Sequence, residues 1–318
     1  MTRKKLLWSV ILGLAPIWAL ASIASAQNRP IKVAYSALSA GIGTIWLTHE
    51  EGLFRKHGLD SALIYIPGGT TAAQALLAGE LQFGHLSPAP MMTAWAQGGD
   101  LVWLGTTVHR MVFTLTTDPK IAKGADLKGK KVGITRLGSA SDLAARLAFE
   151  YLGLSPKEVT LIAMGGIPDI LAGLKAGAVQ GGILSPPSST IARELGYRPL
   201  VFIPDLGKDF TFAGIAAKRS YVQTNPEVAR SFMAALTEGA KLYKDDGKAA
   251  LKVLKKYMRA DERALEAGYK EYSGAISSPP YPSLNGLEAV RQSLVEGSPA
   301  LRNADLKKFV DDRYVAER

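Results

Sequence analysis

Short apolar runs alternate with amphipathic stretches along most of this chain. Runs of about four to eight residues rich in β-branched side chains predict strands, and longer stretches with apolar residues every three or four positions predict helices. The predicted strands are residues 31–35, 62–66, 81–85, 101–106, 131–134, 159–163, 181–184 and 200–203. The predicted helices between them are residues 42–56, 70–78, 88–96, 140–152, 168–176 and a segment after Pro186-Pro187. Strands separated by helices form βαβ units, so this order indicates an α/β fold with parallel sheets.

Two β-rich runs, residues 111–117 and 211–217, interrupt this alternation because no helix precedes them. We expect the chain to cross between two lobes at each run. Beyond the second run the predicted elements are all helical, which indicates a helical C-terminal tail. The predicted lobe I is therefore discontinuous and combines residues 27–114 with residues 214–318, whereas lobe II comprises residues 115–213.

The first 26 residues have the pattern of a secretory signal peptide. Arg3, Lys4 and Lys5 precede an apolar stretch over residues 6–23, and Ala24-Ser25-Ala26 follows as a small-residue cleavage site. An uncleaved membrane anchor is the alternative, but the cleavage site favours removal of the segment. We therefore expect residues 1–26 to be a signal peptide and the mature protein to be periplasmic.

The amino-acid composition excludes several classes of protein. The chain of 318 residues contains no Cys, which excludes disulfides, thiol catalysis and a Cys-linked lipid anchor. Its formal net charge is +10. Such an excess either steers anionic ligands or belongs to a solvated surface, and lysines at helical spacing over residues 241–256 favour the solvated surface. No basic run is interleaved with stacking aromatics, so we expect no nucleic-acid partner.

The loops that follow the predicted strands carry the candidate site. In open parallel sheets, ligands bind outside the carboxyl ends of the strands. These loops are small and hydroxyl-rich, and several of them open a helix, where free amides and the helix dipole suit an oxyanion. The predicted ligand-binding residues are Ser36, Gly69, Thr70, Thr71, His85, Ser87, Thr106, Arg136, Ser139, Ser141, Gly166 and Ser185.

Each of these residues also has a structural interpretation. Thr70 or Thr71 is expected to cap the helix that follows, and Ser139-x-x-Asp142 has the form of a capping box. Arg136 either forms a two-pronged contact with a carboxylate or sulfonate, or lies at the surface and pairs with Asp142. His85 either hydrogen-bonds a ligand or packs in the core.

Motifs of catalysis are absent from the sequence. It contains no G-x-S-x-G elbow, no H-E-x-x-H metal motif, no P-loop and no complete dinucleotide-binding glycine motif. We therefore predict no catalytic residue, no metal and no cofactor, and we expect a small-molecule ligand to be bound without being converted.

Several segments resemble one family of transport proteins. Residues 46–59, which read WLTHEEGLFRKHGL, are similar to the family's early A-x-E-x-G-L-F-x-x-x-G-L signature. Matching segments follow at residues 68–70, 78–84, 126–133 and 173–181. Together they resemble the nitrate/sulfonate/taurine-type periplasmic binding proteins of ABC importers, which share a fold with thiamine-pyrimidine-precursor binding proteins. His49 departs from the alanine or valine expected before the acidic pair.

The resemblance implies a type II periplasmic-binding-protein fold, with two Rossmann-like lobes joined by two crossover strands. It also implies hinge closure on a small anionic solute, a monomeric state, and partnership with an ABC-transporter permease and ATPase at the inner membrane. The family includes binders of aromatic carboxylates and pyrimidines, so the ligand stays open. An enzyme on this fold, such as a pyrimidine-precursor synthase, is associated with a Cys/His-rich motif that this Cys-free chain lacks.

Overall fold

The computed structural model describes residues 30–207 and 210–315. Within this part of the chain, ten strands form two five-stranded sheets, and twelve helices surround them. The predicted signal peptide, residues 1–26, lies outside the described residues. None of the helices in the described ranges combines the length and the apolarity that a membrane crossing requires.

The first sheet is built from both ends of the predicted discontinuous lobe. Its strands are β1 (Ile31–Tyr35), β2 (Ser61–Tyr65), β3 (Phe83–Leu86), β4 (Val102–Val108) and β10 (Ala213–Ala217), in the spatial order β2-β1-β3-β10-β4. Strand β1 pairs in parallel with β2 and β3, whereas β10 lies antiparallel between β3 and β4. We call the part of the molecule around this sheet the first lobe.

The second sheet repeats this arrangement. Its strands are β5 (Thr114–Thr117), β6 (Lys131–Ile134), β7 (Thr160–Ala163), β8 (Gly181–Leu184) and β9 (Arg198–Phe202), in the order β7-β6-β8-β5-β9. Strand β6 is parallel to β7 and β8, and β5 lies antiparallel between β8 and β9. We call the part of the molecule around this sheet the second lobe.

The two runs that interrupt the alternation form the antiparallel strands. The chain passes from β4 to β5 and later from β9 to β10, so each connection leads from one sheet into the other. The expectation of parallel sheets was therefore incomplete, because both sheets are mixed. Antiparallel pairing needs no crossover helix, which explains why no helix precedes either strand.

Seven helices accompany the strands up to β9. They are α1 (Gly43–Glu50), α2 (Leu53–Lys56), α3 (Gly69–Leu77), α4 (Pro88–Ala96), α5 (Ala140–Tyr151), α6 (Ile167–Lys175) and α7 (Ser188–Glu194). The single helix predicted over residues 42–56 is divided at Gly52, whose φ of +68° is left-handed. The expected cap at Thr70 or Thr71 was wrong, because α3 begins at Gly69 and the preceding residue, Gly68, takes a φ of +85° that favours glycine.

The helical tail completes the first lobe and also reaches the second. Its helices are α8 (Arg219–Thr224), α9 (Pro226–Asp245), α10 (Gly247–Tyr257), α11 (Glu262–Ser273) and α12 (Leu284–Leu294). On α9, Phe232 stacks on Phe83 of β3 with the ring centroids 3.9 Å apart. Arg263 of α11 forms an ion pair of 3.4 Å with Glu194 of α7. The predicted helical tail is confirmed, and it contributes both to the core of one lobe and to the contact between the lobes.

Candidate functional site

A cavity of about 30 Å³ lies between the two lobes. This volume holds about two water molecules, so the lobes lie close together at the cavity. The lining residues come from the loops after β1, β3 and β6, from the first residues of α3, α5 and α6, and from both connections between the sheets. They are Ser36, Ala37, Ile42, Gly69, Ser87, Phe113, Thr135, Ser139, Ala140, Ser141, Ile167, Phe212 and Ala213. Strand ends of the two sheets therefore meet at one gap. Ligands of open α/β sheets bind in such a position, outside the carboxyl ends of the strands.

Three hydroxyl groups on the second lobe form a closed cluster at this cavity. The Oγ1 atom of Thr135 lies 2.9 Å from both Ser139 Oγ and Ser141 Oγ, and these two serine oxygens are also 2.9 Å apart. The amide of Thr135 donates to Ser141 Oγ over 2.8 Å. These bonds hold the hydroxyls in fixed positions at the start of α5, where an oxyanion is stabilised by the positive end of the helix dipole.

Ser139 and Asp142 form only part of the predicted capping box. Ser139 Oγ accepts a hydrogen bond from the amide of Asp142 over 3.4 Å. The Asp142 carboxylate does not return this bond to Ser139. It accepts instead from the amide of Gly138 over 2.7 Å and from Arg146 Nε over 3.0 Å. Ser139 thus caps its helix and lines the cavity at once.

Ser87 lies across the cavity on the first lobe and has an unpaired hydroxyl. It precedes α4 as the N-cap residue, yet its side chain makes no capping bond. Only 6% of the residue is exposed, and Ser87 Oγ has no hydrogen-bond partner among the described residues. A Cβ atom added to Gly69, the first residue of α3, would lie 3.7 Å from this oxygen. A buried hydroxyl without a partner costs free energy, so this group is available for a ligand.

The remainder of the cavity lining is mostly apolar and includes an aromatic pair. Phe113 and Phe212 meet edge to face with their centroids 5.4 Å apart. Ile42 and Ala37 extend the surface on the first lobe, and Ile167 does so on the second. These residues were not among the predicted site residues, and neither was Thr135. The available signal was position, because Phe113 and Phe212 lie on the two segments where the chain crosses between lobes.

Three predicted residues lie beside the cavity at contacts between the lobes. Thr70 Oγ1 donates to the carbonyl oxygen of Leu137 over 2.9 Å. The aliphatic part of Arg136 packs against Gly68 so closely that a Cβ there would overlap it. A Cβ on Gly166 would lie 2.9 Å from the Tyr65 hydroxyl. Thr70, Arg136 and Gly166 therefore join the lobes and do not line the cavity, and the alternative pairing of Arg136 with Asp142 is not observed.

Ser185 belongs to a buried hydroxyl network at the junction of the lobes. Its Oγ atom donates to Ser39 Oγ over 3.1 Å. Ser39 Oγ also lies 3.3 Å from the hydroxyl of Tyr272, and Tyr272 donates to the carbonyl oxygen of Val112 over 3.2 Å. Burial raises the pKa of Tyr272, so the hydroxyl stays protonated. Loops of both lobes, helix α11 and the first connection thus share one set of hydrogen bonds.

His85, Thr106 and Thr71 do not contribute to the cavity. His85 is fully buried in β3, its Nε2 atom lies 2.6 Å from Thr107 Oγ1, and burial lowers its pKa to about 3. Thr106 accepts a hydrogen bond of 3.2 Å from the indole of Trp103, and Thr71 is exposed. For His85 and Thr106, the difference from the prediction comes from the length of the strands. Strands β3 and β4 continue past the predicted ends at residues 85 and 106, so His85 and Thr106 lie within strands and not in the loops after them.

A comparison with known protein families shows to which family the chain belongs. A family model described as "NMT1/THI5 like" matches residues 40–250, which is more than half of the chain. The chain belongs to the NMT1/THI5-like family. The predicted resemblance to periplasmic solute-binding proteins is thereby confirmed.

Individual relatives of this NMT1/THI5-like protein are distant. A Brucella abortus protein named only as a binding protein is 28% identical over 262 residues, covering 79% of this chain and 78% of that protein. The alkanesulfonate-binding protein SsuA from Xanthomonas axonopodis pv. citri, bound to MOPS, superposes with a TM-score of 0.74 at 21% identity, covering 89% of this chain and 98% of that chain. The nitrate-binding protein NrtA from Synechocystis gives 0.71 at 14% identity, covering 90% and 86%. The type II periplasmic-binding-protein fold is thus confirmed.

The cavity of this NMT1/THI5-like protein is lined without formal charge. Every described residue on its surface has a hydroxyl, aliphatic, aromatic or glycine side chain. No group of three or more His, Cys, Asp or Glu residues that could hold a metal ion occurs in the described ranges. The arrangement can therefore bind an oxyanion through hydroxyls and helix N-termini and hold an apolar body against the phenylalanine pair.

Proposed function

We propose that this chain is the periplasmic solute-binding component of an ABC importer. It captures a small anionic organic solute between its lobes by hinge closure and catalyses no reaction. Residues 1–26 act as the signal peptide, residues 27–114 and 214–318 form lobe I, residues 115–213 form lobe II, and the protein works as a monomer. The observation that carries this proposal is the cavity between the lobes, which hydroxyl-bearing strand-end loops of both lobes line together.

The class of solute follows from the polar side of the cavity. Ser87 offers an unpaired hydroxyl from one lobe, and Ser139 and Ser141 offer hydroxyls from the other. Helix N-termini beside them favour negative charge. Sulfonates, taurine-like solutes, nitrate and carboxylates are the candidates, and the sulfonate- and nitrate-binding proteins of the same fold support them.

A second candidate ligand is supported by the apolar side. The edge-to-face pair of Phe113 and Phe212 forms a surface on which a ring can pack. A thiamine-pyrimidine precursor or another aromatic compound would use this surface. An enzyme on the same fold is less well supported, because the cavity presents no described acid, base or thiol.

A role in import requires movement of the lobes and a partner. Two connections join the sheets, so the lobes can rotate about them as domains of hinge proteins do. The permease and the ATPase of an ABC transporter at the inner membrane are the proposed partners, since binding proteins of this fold deliver solute to such complexes.

Ligand-dependent thermal stabilisation tests the proposal. The purified protein is heated with sulfonates, nitrate, carboxylates and pyrimidine precursors, and the melting temperature should rise with ligand concentration above the dissociation constant. Nuclear magnetic resonance of the ligand recovered after incubation should show it unchanged. Absence of stabilisation by every compound at millimolar concentration would contradict solute binding, and a converted ligand would establish an enzyme.

A further inference from the structure

Two carboxylates in the first turns of α5 and α6, beside cavity-lining residues, are already engaged by protein groups. The Asp142 carboxylate accepts from the amide of Gly138 over 2.7 Å and from Arg146 Nε over 3.0 Å. Asp169 accepts from the amide of Gly166 over 2.8 Å. Neither side chain lines the cavity, and the described lining residues are all uncharged. A bound cation would therefore have no carboxylate to pair with.

The surroundings of the cavity also oppose positive charge directly. Gly69, Ala140 and Ile167, the first residues of α3, α5 and α6, line it, and Ser87 precedes α4. Helix N-termini carry partial positive charge, which stabilises an anion and destabilises a cation. Ser87 Oγ, buried and without a described partner, supplies a further donor from the first lobe. The polar part of the lining thus favours negative charge.

The remaining surface is apolar. Phe113 and Phe212 face the cavity from the two connections, and Ile42 and Ala37 adjoin them. An ammonium group placed here would lose its hydration and gain only a cation–π contact with a phenylalanine ring, which offsets a small part of the cost of desolvation. A methyl group at the same place gains apolar contact.

We propose that the cavity selects organic anions whose remainder is uncharged and apolar, and that it rejects their zwitterionic, amino-substituted analogues. This inference rests on the proposed function and narrows it. Of the solutes considered above, alkanesulfonates and aliphatic or aromatic carboxylates are retained. Taurine-like solutes are excluded by their ammonium group, and nitrate binds weakly because it leaves the apolar surface without a contact.

Two isosteric ligand pairs test the selection. Propane-1-sulfonate and taurine differ by a methyl group in place of an ammonium group, and butanoate and β-alanine differ in the same way with a carboxylate. Titration calorimetry on the purified protein should give at least about 100-fold weaker binding for the zwitterion of whichever pair is bound. Taurine or β-alanine bound as tightly as its apolar partner would overturn the inference while leaving solute binding intact. Failure of both pairs and of the wider panel would overturn the proposed function together with the inference.

A matched pair of variants tests whether the absence of negative charge in the cavity lining causes the rejection of zwitterions. Ala37→Asp adds a carboxylate to the apolar side of the cavity, and Ala37→Asn adds a group of nearly the same shape without charge. We compare the affinity for taurine with the affinity for propane-1-sulfonate in each variant. Relative to Ala37→Asn, Ala37→Asp should shift this ratio toward taurine by at least about tenfold, because the ammonium group then gains a partner. Equal ratios in the two variants would overturn the assignment.

Discussion

The rings of Phe113 and Phe212 meet edge to face, with their centroids 5.4 Å apart and their planes at 85°. Phe113 lies on the connection from β4 to β5, and Phe212 lies on the connection from β9 to β10. Both residues line the cavity. The two connections between the lobes therefore also supply the aromatic part of the cavity lining. In the proposed hinge closure, a change in lobe angle and a change in ligand contact would occur at these same two residues.

Replacement of one ring in this pair should weaken ligand binding more than it weakens the fold. Phe212→Leu keeps most of the buried volume but removes the edge-to-face contact, so we expect a stability loss of about 1 kcal/mol. The affinity for the tightest-binding sulfonate or carboxylate should fall about tenfold, because the ligand loses an aromatic surface. Calorimetric titration and urea unfolding measure the two effects separately.

Phe149→Leu is the matched control for that variant. Phe149 is fully buried in α5 of the second lobe and does not line the cavity. The control should lose a similar amount of stability and retain the affinity. Equal affinities for Phe212→Leu and Phe149→Leu would show that the pair does not contact the ligand.

The hydroxyl of Ser87 should matter for the ligand and little for the fold. Since Ser87 Oγ has no described partner, Ser87→Ala removes a desolvated polar group, and the ligand-free protein should be as stable as the parent or slightly more stable. Affinity for the anion should fall about 3- to 30-fold, as for the loss of one hydrogen bond to a charged group.

Thr190→Val tests whether the location of the hydroxyl is decisive. Thr190 Oγ1 is also buried without a described partner, but it lies on α7 and away from the cavity lining. Thermal unfolding should show little loss for either variant, and only Ser87→Ala should weaken binding. If binding by Ser87→Ala is undiminished, the anion does not contact this hydroxyl.

The sequence was sufficient for the fold because apolar periodicity, glycine positions and the two interruptions are local features. Most predicted strands and helices occur within a few residues of their observed bounds. The antiparallel insertion of β5 and β10 was not predictable, because strand direction depends on pairing with residues distant in the chain. The two interruptions predicted the two-lobe arrangement, and the resemblance to a known family implied the same arrangement.

Prediction of the site was limited by the exact ends of strands. Ser36, Gly69, Ser87, Ser139 and Ser141 lie at the cavity, although β3, which precedes Ser87, ends one residue later than predicted. The same one-residue extension of β3 places His85 within a strand, and a two-residue extension of β4 does so for Thr106. Apolar lining residues such as Phe212 look like any core residue in sequence, so only the packing of the two lobes reveals them.

Gly68 should be required for the approach of the lobes. It has a φ of +85°, and a Cβ there would overlap the side-chain stem of Arg136 from the second lobe. Gly68→Ala should therefore lower the ligand affinity at least about tenfold, because the lobes cannot close fully around the solute. The double variant Gly68→Ala/Arg136→Ala, in which the Arg136 side chain is truncated, should regain part of the affinity. Calorimetric titration measures the affinity of the single and of the double variant.

Gly58→Ala separates this steric effect from backbone strain. Gly58 has a similar φ of +77°, but a Cβ there meets nothing within 4 Å. Both single variants should lose about 1 kcal/mol of stability from the left-handed backbone. Loss of affinity in Gly58→Ala as well, or no restoration in the double variant, would contradict a steric block between the lobes.

His85 should make the protein less stable in mild acid. Burial lowers the pKa of this histidine from its usual 6.5 to about 3. Between these two values the unfolded chain takes up a proton that the folded chain does not, so stability is complete above pH 6.5 and is lost progressively as the pH falls toward 3. From pH 7 to pH 5 the loss from this one residue should be about 2 kcal/mol.

Comparison with His85→Gln isolates this contribution. Glutamine does not titrate, and its amide can still hydrogen-bond to Thr107 Oγ1, the partner that lies 2.6 Å from His85 Nε2. Urea unfolding of both proteins at several pH values and constant ionic strength gives the two stability curves. The variant should start from a lower stability at pH 7, because its side chain packs less well, but its curve should fall less steeply toward pH 5. Parallel curves would mean that His85 is protonated in the folded protein, which its full burial opposes because no described carboxylate is bonded to it.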